Sequence, residues 1–237
     1  MASHQTVQTS MTAGRVHVRA DPAVQAVQVL SIEAKLRTDA RAVAAAASAR
    51  VTSQQDLVSV EVPEPAGRGR SPQVMVDVVV PVGTHVRADS GEAEVVCTGT
   101  VGDLWARTSS GSVHAELVTG TLDVRSGRGP LTVHHCAGRA EVSVADAGII
   151  IRAADGPVRI QGRSGDVDVW WLAAPGEIST TTGNVRVGWA RGRPVSLTLP
   201  AHAGTVRSEV RSDPGAADSL AVATISGDVR VTVADPL

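Results

Sequence analysis

Between residues 101 and 142 five glycines, Gly102, Gly111, Gly120, Gly129 and Gly138, recur at every ninth position. Two places after each comes an apolar side chain (Leu104, Val113, Leu122, Leu131, Ala140), and four places after comes another (Ala106, Ala115, Val124, Val133, Val142). The residues between them are Trp105, His114, Asp123, Thr132 and Glu141, polar with one exception. A period of two with one apolar face predicts a short β-strand in each unit, and the glycine supplies the turn that restarts it. The unit recurs from Gly91 to Gly183, with uneven spacing outside the perfect stretch. Alternate units differ in their opening turn. One class reads DSGEAEV, SSGSVHA, ADAGIII, RSGDVDV and TTGNVRV; the other reads TVGDLWA, VTGTLDV, CAGRAEV, DGPVRI and APGEIS. The true repeat is therefore two units long, as from Gly102 to Gly120, and holds two strands and two turns.

The flanks carry the same alternation less regularly. Residues 14–21 (GRVHVRAD) place Val16 and Val18 inward, and residues 56–62 do the same with Val58, Val60 and Val62. Residues 26–36 are apolar on both faces at their start, as a covered strand would be. Thr38 and Asp39 then offer an N-cap to a short Ala-rich helix ending near Arg50. Residues 63–72 (PEPAGRGRSP) are a loop by composition, and QVMVDVVVPV resumes a long strand that leads into the repeats. After Trp189 the stretches RPVSLTLP, GTVRSEV and LAVATISGDVRVTV predict further strands around an inserted loop at 211–219. The domain reading is a strand-rich part with one helix, residues 1–85, capping a glycine-turn repeat over residues 86–237.

Two all-β architectures fit. Each two-unit repeat can be one coil of a β-solenoid, whose stacked coils pair in parallel around a thin dry core. Alternatively, the glycines make tight hairpins and the chain is a long antiparallel meander or sandwich. Hairpins do not require alternate units to differ. Composition sharpens the choice: Phe and Tyr are absent, so the interior must be filled by Val, Ile, Leu and Ala, which suit narrow repetitive columns. The β-solenoid is the expected fold.

Charge narrows the function classes. With 22 basic and 24 acidic residues the net charge is -2, which gives no electrostatic case for nucleic acid or an anionic membrane. Cys97 and Cys136 lie on separate units and signal neither a disulfide framework nor a thiolate metal site. The opening MASHQTVQTSMTAGR lacks the basic start and apolar run of a signal peptide, and no apolar span long enough for a transmembrane helix occurs. The expectation is a cytoplasmic protein with no membrane insertion.

The recurring SSGSV, RSGDVDV and ISGDVRV, following VMVDVVVPVGTHVRADSGEAEV, resemble a bacterial β-repeat family of unknown function whose members carry the label "putative adhesin". The resemblance runs from about Gly14 to Val233 and implies a β-repeat fold and an interaction role. It carries over no catalytic residues, and the label implies export, for which this chain shows no signal.

No catalytic signature appears. GRSGD lacks the second glycine of a nucleophile elbow, and there is no phosphate loop or dinucleotide fingerprint. Asp166 and Asp168 share an outer strand face but are too few ligands for calcium. Stacking the Ser-Gly units gives two outer columns: Glu94, His114, Thr132, Ile151, Asp168, Arg186, and Val96, Glu116, His134, Ala153, Trp170, Gly188. His114, Glu116, His134, Ile151, Asp168 and Trp170 then form a candidate patch for a ligand or partner. Exposed isoleucine in GIIIRA calls for a cover: a ligand, another protomer, or the chain's own helix. Glu141 and Arg159 on the other face would form a surface ion pair. The leading reading is a non-catalytic scaffold or interaction module with a protein partner or a homo-oligomeric state and no cofactor or metal. The alternative is a small-molecule-binding protein or a cofactor-free isomerase or cyclase.

Overall fold

The computed structural model describes residues 5–65 and 70–236, so the middle of the loop expected over 63–72 lies outside the described residues. The protein is all-β with one short helix and divides into two compact units, Met1–Thr119 and Gly120–Leu237. In both, consecutive repeat strands go to alternate sheets, so each strand pair is one coil with a rung in either sheet. This is the solenoid arrangement. The antiparallel meander is excluded because the repeat strands pair in parallel: Val124 lies beside Val142, its counterpart one repeat later.

In Met1–Thr119 one sheet has the order β9 (Leu104–Thr108), β7 (His85–Ser90), β1 (Thr6–Met11), β5 (Leu57–Glu61) and β4 (Arg50–Gln54). The other has β10 (Val113–Val118), β8 (Glu94–Val101), β2 (Ala13–Ala20), β6 (Gln73–Val80) and β3 (Gln28–Ala34). The rung order is not the chain order. β1 lies between β5 and β7, so Val7 pairs with both Val58 and Val86, and β2 likewise lies between β6 and β8. The chain lays down β1 and β2, travels out to make the terminal coil β5–β6, and returns to add β7–β8 on the inner side. Among the described residues only β3 and β4, at the sheet ends, pair antiparallel.

The excursion contains α1 (Ala40–Ala47). As its sequence suggests, Asp39 caps it, accepting from the N–H groups of Arg41 at 3.0 Å and Ala42 at 3.2 Å. Ala42 and Ala45 are fully buried where the helix packs on β3 and β6. The strand expected over 26–36 is shorter, Gln28–Ala34, and lies at the sheet edge with α1 packed on it. A register shift between Val29 and Ser31 leaves Leu30 56% exposed.

In Gly120–Leu237 the first sheet runs β11 (Leu122–Ser126), β13 (Ala140–Asp146), β15 (Val158–Ser164), β17 (Gly176–Thr182), β22 (Ser219–Ser226) and β19 (Ser196–Thr198), with β20 (Ala201–Ala203) also on β22. The second runs β12 (Leu131–Cys136), β14 (Ile149–Ala154), β16 (Val167–Leu172), β18 (Val185–Ala190), β23 (Val229–Ala234) and β21 (Val206–Ser208). Here too the order reverses near one end: β19 to β21 are made first, yet β22 and β23 slot in between them and the preceding coil.

The core is a set of aliphatic columns. Val124, Val142, Ile160, Ile178 and Val222 form one; Val133, Ile151, Val169, Val187 and Val231 form another, and all of them are buried. Adjacent members stand one strand spacing apart, about 4.8 Å, so branched side chains stack without needing rings. Trp189 is the exception. It is fully buried and donates its indole N–H to the Arg193 carbonyl at 3.0 Å.

Candidate functional site

The six patch residues fall in two units. His114 and Glu116 are on β10 of Met1–Thr119; His134, Ile151, Asp168 and Trp170 are on β12, β14 and β16 of Gly120–Leu237. Glu116 supports a bend in its own unit, accepting the Gly99 N–H at 2.6 Å where β8 takes φ +75°. His114 lies beside Val96, not beside Glu94. His134 is half-buried on its strand.

Ile151 does not face outward. It is fully buried with Ile149, and Ile150 between them points out, beside Thr132 and Asp168. The cause is a one-place offset in the count. One repeat before Gly165 stands Ala147, which takes the turn position, while Gly148 comes one place late. A slip of one position moves every side chain of a strand to the other face. Counting from Gly91 fails by two places, because Ala93, not Gly91, stands one repeat before Gly111, so Glu94 keeps the right face but lies one pair too early along the strand. The chain's own helix, one of the three covers considered for the isoleucines, packs on β3 and β6.

The outer face of the second sheet in Gly120–Leu237 reads in register Thr132, Ile150, Asp168, Arg186, Arg230 and Arg207. Arg186 and Asp168 are 3.1 Å apart, and Arg230 reaches Glu209 at 3.6 Å. Beside this row Trp170 is 48% exposed, with the Arg152 guanidinium over its ring at 5.1 Å. A Cβ at Gly188 would sit 1.9 Å from the Trp170 carbonyl oxygen, so the neighbouring strand carries no side chain there. Between β18, β23 and β21 the face dips into a groove of about 250 Å³, lined by Asn184, Arg186, Thr205, Arg207, Asp228 and Arg230.

The Asp and Asn side chains of the SGD and TGN turns have a structural task. Asp166 accepts from the Asn184 backbone N–H at 2.8 Å and from its amide at 3.2 Å. Asn184 in turn accepts the Asp228 N–H at 3.0 Å, and Asp228 accepts the Thr205 N–H at 2.7 Å. Each turn thus fixes the next through a local side-chain-to-backbone bond. Asp166 and Asp168 diverge to these separate partners. Among the described residues no group of three or more His, Cys, Asp or Glu side chains is placed to hold a metal ion.

The outer face of the first sheet in the same unit holds a shallow groove of about 430 Å³ lined by Asp123, Arg125, Glu141, Ser143, Arg159 and Gln161. Glu141 pairs with Arg139, and Arg159 with Glu177 at 3.4 Å, so the Glu141–Arg159 pair is not formed. These are exposed pairs of little energetic weight.

Met1–Thr119 contains a constellation the sequence does not advertise, because it spans four strands. Across β8, β2, β6 and β3, Thr98 Oγ1 lies 3.3 Å from His17 Nε2, His17 Nδ1 lies 3.1 Å from Asp77 Oδ1, and Ser31 donates to Asp77 Oδ2 at 3.3 Å. Hydroxyl, imidazole and carboxylate in that order is the arrangement of nucleophilic catalysis. An acyl-transfer site also needs donors for the oxyanion, and the N–H next to Thr98, that of Gly99, is already given to Glu116. The cysteines are no better as nucleophiles. Burial pushes the thiol of Cys97 up to about 12 and that of Cys136 up to about 11, which keeps both protonated at neutral pH.

No helix among the described residues is long and apolar enough to cross a membrane. No protein-family model matches the chain, and no curated protein matches it. Among solved structures, a putative adhesin from Bacteroides fragilis NCTC 9343 is 9% identical, with a TM-score of 0.49 over 96% of this chain and 92% of that one. A putative cell adhesion protein from Clostridium sporogenes ATCC 15579 is 8% identical, with a TM-score of 0.31 over 98% of this chain and 93% of that one.

Proposed function

We propose that the chain is a non-catalytic interaction module, and that its working surface is the outer face of the second sheet in Gly120–Leu237, around Asp168 and Trp170. The observation that carries this reading is Trp170 itself. It is a large ring held half-exposed on a rigid parallel sheet, fixed from one side by Arg152 and next to a glycine that leaves the adjoining strand bare. Exposed tryptophan is costly to display and characteristic of binding hot spots. Scaffold and surface are separate in this reading: the aliphatic columns and the turn ladder hold the sheet in place, and the outward residues vary freely above it. Residues 1–85 serve as a cap, a role supported by the antiparallel edge strands β3 and β4 and by α1.

An array of extended peptides and oligosaccharides probed with the intact chain tests this. The expected result is a retained ligand whose signal falls at least tenfold in Trp170→Ala, with an unchanged melting temperature, and persists in Trp105→Ala on the other sheet. Binding indifferent to Trp170→Ala, or chemical turnover of the bound ligand, overturns the reading.

A further inference from the structure

Resting on the working surface just proposed, we infer that its ligand is an acidic polysaccharide bearing a carboxylate on successive sugars, read by the rank of Arg186, Arg230 and Arg207. These three stand at matching register positions on three adjacent parallel strands, β18, β23 and β21. Strand spacing sets their backbones about 4.8 Å apart, so the sheet offers cations on a regular rule. A linear uronate chain offers carboxylates on a comparable rule, and the guanidinium fork takes a carboxylate with two parallel hydrogen bonds.

The remaining groups fit a sugar better than other anions. Asn184, Thr205 and Asp228 line the same groove and are hydrogen-bonding partners for hydroxyls. Trp170, on the same face, supplies the flat apolar wall on which the C–H face of a pyranose ring stacks. Asp168, Asp228 and Glu209 are interspersed among the arginines and repel a dense polyanion such as a nucleic acid or a heavily sulfated chain. One charge per sugar with hydroxyls between suits this mixed pattern. The Arg230–Glu209 pair is exposed on both sides, so exchanging Glu209 for a ligand carboxylate costs little, while Arg186, which meets the less exposed Asp168 through one nitrogen, donates to the ligand beside that pair.

Titration calorimetry of the intact chain with a galacturonate hexasaccharide tests the inference, with a neutral galactose hexasaccharide and a heparin hexasaccharide alongside. The expected result is measurable binding of the uronate, at least tenfold weaker binding of the neutral sugar, and weakening with added salt. Arg207→Gln combined with Arg230→Gln should lower uronate affinity at least tenfold without moving the melting temperature. Trp170→Ala should lower affinity for both sugars. Neutral sugar bound as tightly as uronate, yet lost in Trp170→Ala, overturns the charge reading and leaves the working surface standing. Heparin bound far more tightly through the same arginines overturns the commitment to uronate. Uronate binding unchanged in every variant overturns the inference and the surface together, and no uronate binding at millimolar concentration overturns the inference alone.

Discussion

In Gly120–Leu237 each coil is positioned by its own turn, whereas in Met1–Thr119 the coils at the capped end are positioned by a helix, antiparallel edges and contacts between distant parts of the chain. Gly183 and Gly227 both take positive φ, +139° and +146°, and stack so closely that a Cβ on either would lie 2.2 or 2.1 Å from the carbonyl oxygen of the turn below. Asp166, Asn184 and Asp228 then bond one turn to the next. Between the β1–β2 coil and the β5–β6 coil, whose register joins Thr6 to Leu57 and Ala13 to Gln73, the close glycine approach recurs at Gly14, φ +124°, where a Cβ would lie 1.8 Å from the Val74 carbonyl oxygen, but the side-chain link is a single long contact from Thr12 to Glu64 at 3.5 Å in place of the ladder. Parallel stacking can thus be encoded locally, by a turn that recognises the next turn, or globally, by a cap that fixes the end and lets the rest follow.

The largest test of this contrast is a charge in a column. Val124→Asp buries an unpaired carboxylate against Val142 at the end of its column, and should abolish cooperative melting at physiological temperature. Asp123→Ala, one place away and facing out, is the control and should leave the melting curve where it was. If both substitutions behave alike, the columns are not the core.

Next in size is the local code. Gly183→Ala must push a Cβ against the Gly165 carbonyl while holding a left-handed φ, and should cost on the order of 3 kcal/mol in chemical denaturation. Gly83→Ala in the other unit has φ +81° but open space around it, so only the backbone penalty of about 1–2 kcal/mol applies. Equal costs would mean that turn stacking contributes nothing.

A smaller pair compares cap with ladder. Asp39→Ala removes the α1 N-cap and should cost about 1 kcal/mol, with faster amide exchange confined to the helix. Asn184→Ala removes an acceptor from the turn ladder at a similar cost of about 1 kcal/mol, with faster exchange at the Asp228 amide.

The last contrast is seen only at high pH. Both thiols are raised by burial above their ordinary 9.0, so the folded state holds its protons longer than the unfolded one. Their contribution to stability is complete below pH 9.0 and fades as pH rises toward about 11 for Cys136 and about 12 for Cys97. Iodoacetamide under mildly alkaline conditions should label neither in the folded protein and both after denaturation, with Cys136, whose thiol is raised less, reacting first as pH is raised.

The coil was legible because glycine, valine and aspartate recur where a turn and two inward side chains need them, and the Val124–Val142 pairing follows from that spacing. The patch was legible only in part. Asp168 and Trp170 do face outward, but Ala147 in a glycine's place shifted the count and brought Ile151 forward in error. The arginine rank was within reach: SGDVRV at 226–231 repeats TGNVRV at 182–187 with arginine in the same place. The long stretch of chain between them hid that the two strands are neighbours. The Thr98–His17–Asp77 chain left no local signal at all, since its members lie up to 81 positions apart.

The slot that β22 and β23 occupy has a consequence for synthesis. Ribosomes release a chain from its beginning, so the coil β17–β18 and the outlying strands β19 to β21 emerge before the pair that must lie between them. Until residues 219–234 appear, β17 and β18 present open sheet edges with rows of unpaired backbone groups, and β19 to β21 lack the strands they pair with. The final strands therefore act as a keystone, and a nascent chain that stalls before Ser219 displays its stickiest surface while it waits.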